Sequence, residues 1–80
     1  MTTFRTQVAS DIIRDGIGVE LLDANGEVIA EIFRSDQTNC VFVTTFGEEV
    51  PLEGLAQAIR RFRERFTHFE DGTAIQEFEF

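Results

Sequence analysis

The sequence predicts an α+β domain: an antiparallel β-meander of three to four strands with one long C-terminal amphipathic helix packed on one face. Three observations carry that expectation. Two alternating runs flank Asn25-Gly26 in GIGVELLDANGEVIAEIFR, the stretch NCVFVTTF is dense in β-branched and aromatic residues, and apolar residues recur at helical spacing after Pro51. The resulting order is strand, strand, strand, helix. Short hairpin connections make sequential strands neighbours. All 80 residues read as one small domain, without linker, repeat or low-complexity segment.

Residues 1–15 carry two signals. Phe4, Thr6 and Val8 alternate as in a short strand, whereas Ser10 is placed to cap a helical turn over Asp11 to Arg14. The meander proper is expected over residues 16–46. Asn-Gly tolerates the positive φ of both central positions of a two-residue type I′ turn, so Ala24 is set opposite Glu27, Leu21 opposite Ala30 and Glu20 opposite Glu31. In that register Ile17, Val19, Leu21, Val28, Ala30 and Ile32 share one face, and Gly18, Glu20, Leu22, Ile29, Glu31 and Phe33 share the other. A three-residue loop closed by Gly26 as a bulge is the competing geometry; it sets Glu31 beside Val19 among apolar neighbours, and the two-residue turn is preferred.

Ser35 to Thr38 forms the next turn from small polar residues. The third strand follows, with Cys40, Phe42, Thr44 and Phe46 alternating against Val41, Val43 and Thr45. The helix is expected over residues 51–67. Pro51 suits its first turn, Glu48, Glu49 and Glu53 favour the positive end of its dipole, and Leu52, Leu55, Ala56, Ile59, Phe62 and Phe66 form its apolar stripe. Asp71-Gly72 marks a turn beyond it. Residues 73–80, with Phe78 and Phe80, read as either an extra strand or a docking tail.

Composition narrows the function classes. The only cysteine, Cys40, cannot pair within the chain, which favours a reducing, cytoplasmic setting. No apolar run approaches the roughly 20 residues of a membrane span, and MTTFRTQVASD has no signal-peptide core. Fifteen acidic residues against seven Arg give a formal charge of -8, which repels phosphate and disfavours nucleic acid as a partner. All nine aromatics are Phe, so every large ring belongs in a core or a contact.

Candidate sites are few. Four of the seven Arg fall in IRRFRERF, where Arg60, Arg61, Arg63 and Arg65 form the one weak basic patch. A solvated helix face accounts for the whole run, because cations suit the last turns of a helix. Cys40, His68 and Asp36 are the only set resembling nucleophile, base and orienter, and nothing local marks Cys40 as activated; in an apolar strand it is expected to be a small buried hydrophobe. One His and one Cys do not make a structural zinc site, and Glu20 facing Glu31 gives mild repulsion in place of a catalytic pair. No catalytic, cofactor-binding or metal-binding residues are therefore assigned, and no cofactor is expected.

The leading expectation is a non-enzymatic protein-interaction domain that self-associates as a homodimer, with another protein as the second kind of partner. One helix covers one sheet face, while Ile29, Phe33 and the third strand load the other; the competing account is intramolecular, with the N-terminal segment (Phe4, Val8, Ile12 and Ile13) or the Phe-rich tail folding back to cover it. Phe33, Phe42, Phe78 and Phe80 are the expected contact residues. The alternative is an acidic regulator that occupies a cationic site on a partner, in the manner of a nucleic-acid mimic. Contact through Phe persists at high salt, whereas charge mimicry weakens steeply.

Overall fold

The computed structural model describes residues 4–47 and 49–76. Four antiparallel strands, β1 (Arg5–Asp11), β2 (Gly16–Leu22), β3 (Val28–Ser35) and β4 (Cys40–Thr45), lie side by side in chain order, and α1 (Leu52–Arg65) packs over the central pair. The α+β meander is as the sequence predicts, with one change of membership. The fourth strand is N-terminal: Thr6, Val8 and Ser10 pair with Leu21, Val19 and Ile17. Asp11, not Ser10, holds the turn that follows. Its Oδ1 accepts the N–H groups of Ile13 at 3.0 Å and Arg14 at 3.1 Å, and Asp15 takes a φ of 53° to reverse the chain.

The β2–β3 turn is the three-residue alternative. Asn25 does not enter the left-handed region that a type I′ turn demands, and Gly26 alone does, at φ 82°. Asp23 decides the choice, because its Oδ1 accepts the N–H groups of both Asn25 (2.8 Å) and Glu27 (3.0 Å). The register beyond it is nonetheless the expected one. A bulge at Ile29 absorbs the extra residue, so that Leu22 faces Val28 while Leu21 faces Ala30, Glu20 faces Glu31 and Val19 faces Ile32. The bulge keeps Glu31 away from the apolar face.

Val19, Leu21, Ala30 and Ile32 form the floor of the core, and Ala58 and Phe62 close it from α1. The helix meets the sheet through small residues. A Cβ on Gly54 would lie 3.1 Å from the Phe4 ring, so the roughly 1 kcal/mol that a helical Gly costs is exchanged for close approach. The buried stripe is Gly54, Ala58 and Phe62, rotated from the expected one, which leaves Leu52 79% exposed and Ala56 exposed. Pro51 precedes the helix as its N-cap residue, and Phe66 turns extended to end it.

Residues 67–76 are not a further sheet strand. They fold on themselves around one bridge between His68 and Ala74, with Gly72 at φ 91° in the turn and Phe69 buried. Arg34 and Asp36 anchor this loop: the Arg34 Nη1 donates to the His68 carbonyl at 3.0 Å, and Asp36 Oδ1 accepts the Glu70 N–H at 3.0 Å. Phe78 and Phe80 lie outside the described residues.

Candidate functional site

The sheet face opposite α1 is expected to need a cover, from the N-terminal segment, the Phe-rich tail or a second copy of the chain. Its centre, at Phe33 and Glu31, is covered from within the chain. Phe33 is 2% exposed, because its ring lies over Gly16 and the Arg14 guanidinium sits 3.7 Å above its centroid. Only glycine fits beneath: a Cβ on Gly16 would fall 2.4 Å from the ring. Arg14 then donates to both oxygens of Glu31, at 2.9 and 3.2 Å, and that hydrogen bonding holds its pKa above the ordinary value. The expectation that Phe33 waits for a partner is thereby corrected. The cover comes from the β1–β2 turn, a contact that no local pattern announces.

What stays open is β4. It is an edge strand, its sequence CVFVTT holds no charge and no Pro, and it exposes apolar groups on both faces. Phe42 is 48% exposed on the open face, opposite Phe33, and Val43 is 53% exposed on the α1 face, opposite Ile32. Phe46 follows at 51%. The other edge, β1, is guarded at its ends by Arg5 and Asp11 and carries polar Thr6, Gln7 and Ser10 between. In the β1–β2 turn Ile12 and Ile13 project almost fully into solvent.

A second open surface lies on the α1 flank away from β1. Gln57 donates to the Phe4 carbonyl at 3.0 Å on the β1 side, and on the other side Leu52, Leu55, Ala56 and Ile59 floor a groove of about 670 Å³. Arg60 and Arg63 stand on its rim, while Arg61 and Arg65 point elsewhere into solvent. The four Arg are thus split between surfaces. Their run forms no single basic patch.

The residues considered for chemistry are dispersed into separate contacts. Cys40 is exposed, not buried; it lines a hollow with Val41 and residues 73–76, and among the described residues its sulfur hydrogen-bonds to the Thr38 carbonyl alone, at 3.5 Å. His68 Nδ1 faces Thr67 Oγ1 at 2.9 Å, and Asp36 is engaged by Arg34, with Nη2 3.0 Å and Nε 2.9 Å from its two oxygens. They share no nucleophile–base contact. Glu20 and Glu31 do face each other, but Gln7 donates to Glu20 at 2.6 Å while Arg14 takes Glu31. Carboxylates of Asp15, Asp36 and Glu70 converge within 4.8 Å, yet Asp36 already serves Arg34 and the Glu70 amide. Asp71 is held below its ordinary pKa, first by the Asn39 side chain at 2.9 Å and then by the Thr73 N–H.

Among the described residues no helix is long and apolar enough to cross a membrane. Comparison with protein families, with curated proteins and with solved structures finds no match. The functional reading therefore rests on geometry.

Proposed function

We propose that the chain is a small non-enzymatic interaction domain that self-associates through the edge of β4. The uncharged, apolar edge carries this reading. Folded proteins guard such edges with charge, Pro or bulges, because unpaired backbone N–H and C=O groups template another strand. Antiparallel pairing of β4 with its copy about a two-fold axis continues the meander into an eight-stranded sheet, and brings Phe42 and Val43 of each copy to the seam. A net charge of -8 per chain opposes association, but β4 itself adds none to the contact. Six residues a side make a small interface, consistent with a micromolar dissociation constant, about -8 kcal/mol.

Sedimentation velocity across a dilution series tests the proposal, with Phe42→Lys as the edge variant. The wild-type chain should shift from dimer to monomer between high and low micromolar concentration, at 0.1 and at 1 M salt alike. Phe42→Lys should remain monomeric with unchanged circular dichroism. A wild-type monomer at several hundred micromolar removes the proposal, and association lost in 1 M salt assigns it to charge.

A further inference from the structure

Two surfaces of the described chain are left unexplained by the β4 edge, and each has what the other lacks. The β1–β2 turn ends in Ile12 and Ile13, which are 95% and 96% exposed. Turn tips favour Gly, Asn, Asp, Ser and Pro, so two adjacent β-branched residues there break the local rule, as residues placed for contact do. The tip is also rigid. Asp11 Oδ1 accepts the N–H groups of Ile13 and Arg14, the Asp15 N–H donates to the Ile12 carbonyl at 3.3 Å, and the Asp15 carbonyl accepts the Asp36 N–H at 2.9 Å. Arg14 is drawn back over Phe33 and onto Glu31, which fixes the base of the turn and removes its cation from the tip. The charge left beside Ile12 is acidic: Asp11, Asp15, Asp36 and Glu70 line one hollow with it, and Arg34 is the one cation of that lining.

The groove on α1 is the reverse in charge. Leu52, Leu55, Ala56 and Ile59 floor it, Leu52 is 79% exposed, and Arg60 and Arg63 outnumber Glu64 on its rim. Ala56 is exposed at its middle, where a small side chain leaves depth for a larger one from outside. The chain's own tip does not reach it. The tip joins β1 to β2 at one edge of the sheet, whereas the groove lies on the α1 flank that faces away from β1. A tip in the groove must come from a second copy.

We infer that the β1–β2 tip of one copy docks in the α1 groove of another, with Ile12 and Ile13 on Leu52, Ala56 and Ile59 and with the Asp15 and Glu70 carboxylates turned to Arg60 and Arg63. Apolar tip meets apolar groove, and acidic flank meets cationic rim. The rigid turn lowers the ordering cost of that contact. Because the donating and accepting surfaces differ, the contact is heterologous and runs head to tail, leaving a free tip at one end and a free groove at the other. Two side chains make a small contact, with a dissociation constant of about a millimolar or weaker. It uses no residue of β4, so it stands independently of the proposed self-association and is too weak to obscure it at several hundred micromolar.

Methyl-resolved NMR tests it on the full chain carrying Phe42→Lys, which keeps the β4 edge out of the measurement whether or not that edge pairs. From tens of micromolar to a few millimolar, the Ile12, Ile13, Leu55 and Ile59 methyl signals should shift together along one binding curve, while those of Leu21 and Ile32 stay in place. Ile12→Ser with Ile13→Ser should remove the Leu55 and Ile59 shifts, and Ala56→Glu should remove those of Ile12 and Ile13. All three positions are exposed, so the fold is kept, and unmoved Leu21 and Ile32 signals verify it. Mixing the two variants, each silent alone, should restore the Leu55 and Ile59 shifts in the first, because one supplies the groove and the other the tip. Arg60→Glu with Arg63→Glu should weaken the contact about tenfold. Signals that do not move with concentration, or mixed variants that stay silent, would overturn the inference. So would groove shifts that survive loss of both Ile, which assign the groove to another occupant, or tip shifts that survive Ala56→Glu, which leave the tip pairing with itself.

Discussion

Replacing Arg14 by Ala removes the lid over Phe33 and the partner of Glu31 in one change. Glu31 is 8% exposed and has both oxygens engaged by Arg14, so the variant leaves a nearly buried carboxylate without a donor, a loss of about 1–3 kcal/mol. The stacked guanidinium adds about 0.5–1 kcal/mol at an exposed site. The Arg14 side chain is 45% exposed, so solvent screens part of the pair, and a net loss of about 1.5–2 kcal/mol is expected. For a domain of this size that lowers Tm by roughly 6–15 °C. Urea denaturation followed by far-ultraviolet circular dichroism is the assay, since the chain has no Trp or Tyr to report by fluorescence. Arg14→Leu combined with Glu31→Leu should recover most of the loss, because no buried charge is then left alone. The reasoning fails if Arg14→Ala stays within about 0.5 kcal/mol of wild type, the range of ordinary surface changes.

Four further outcomes are expected. Gly18→Ala should destabilise by about 1–3 kcal/mol or more, because its Cβ would meet the Ile32 carbonyl oxygen, a backbone atom, at 2.4 Å; thermal denaturation reads this, and a neutral result contradicts the packing. Cys40 should react with a thiol reagent in the native state at low micromolar concentration, and Cys40→Ala should cost no more than about 0.5 kcal/mol; labelling only after unfolding would count against its exposure. Arg61→Gln and Arg63→Gln should each change stability by about 0.5 kcal/mol or less and create or abolish no RNA binding in a mobility-shift assay. The depressed pKa of Asp71 stabilises the Phe69–Thr73 turn above the ordinary carboxylate value of 3.8, and that contribution is lost as pH falls through the lower folded value; Asn39→Ala should raise the Asp71 midpoint in an NMR titration.

Periodicity carried the fold a long way. Alternation in β2 and β3 set Leu21 against Ala30 and Val19 against Ile32, because a one-residue slip would have turned every apolar group outward. The turn between them was less legible. Asn25-Gly26 supports either loop, and the Asp23 carboxylate, two residues upstream, decides by accepting two N–H groups. Large residues misplaced the helix stripe: Gly54 and Ala58 make the closest approach, and small residues contribute little to an apolar pattern. The N-terminal strand was half visible in Phe4, Thr6 and Val8, and partnership with β2 completed it.

The candidate surfaces were legible only in part. Phe42 is exposed where the strand pattern shows no cover, whereas the pattern misplaces Phe33 because Arg14 reaches it from a turn. Cys40 looked buried by its apolar neighbours, yet an edge position leaves it open. The groove was hidden inside the Arg run, whose members divide between its rim and open solvent only once the helix is seated.

Hydrogen exchange at two concentrations tests the edge of β4 most directly, with the edge of β1 as an internal reference. Between Cys40 and Thr45 the amides not bonded to β3 should exchange at least tenfold more slowly at several hundred micromolar than at low micromolar concentration, while the outward amides of β1 exchange equally fast at both. Equal exchange of the β4 edge at both concentrations, or slowing confined to β1, would contradict the account.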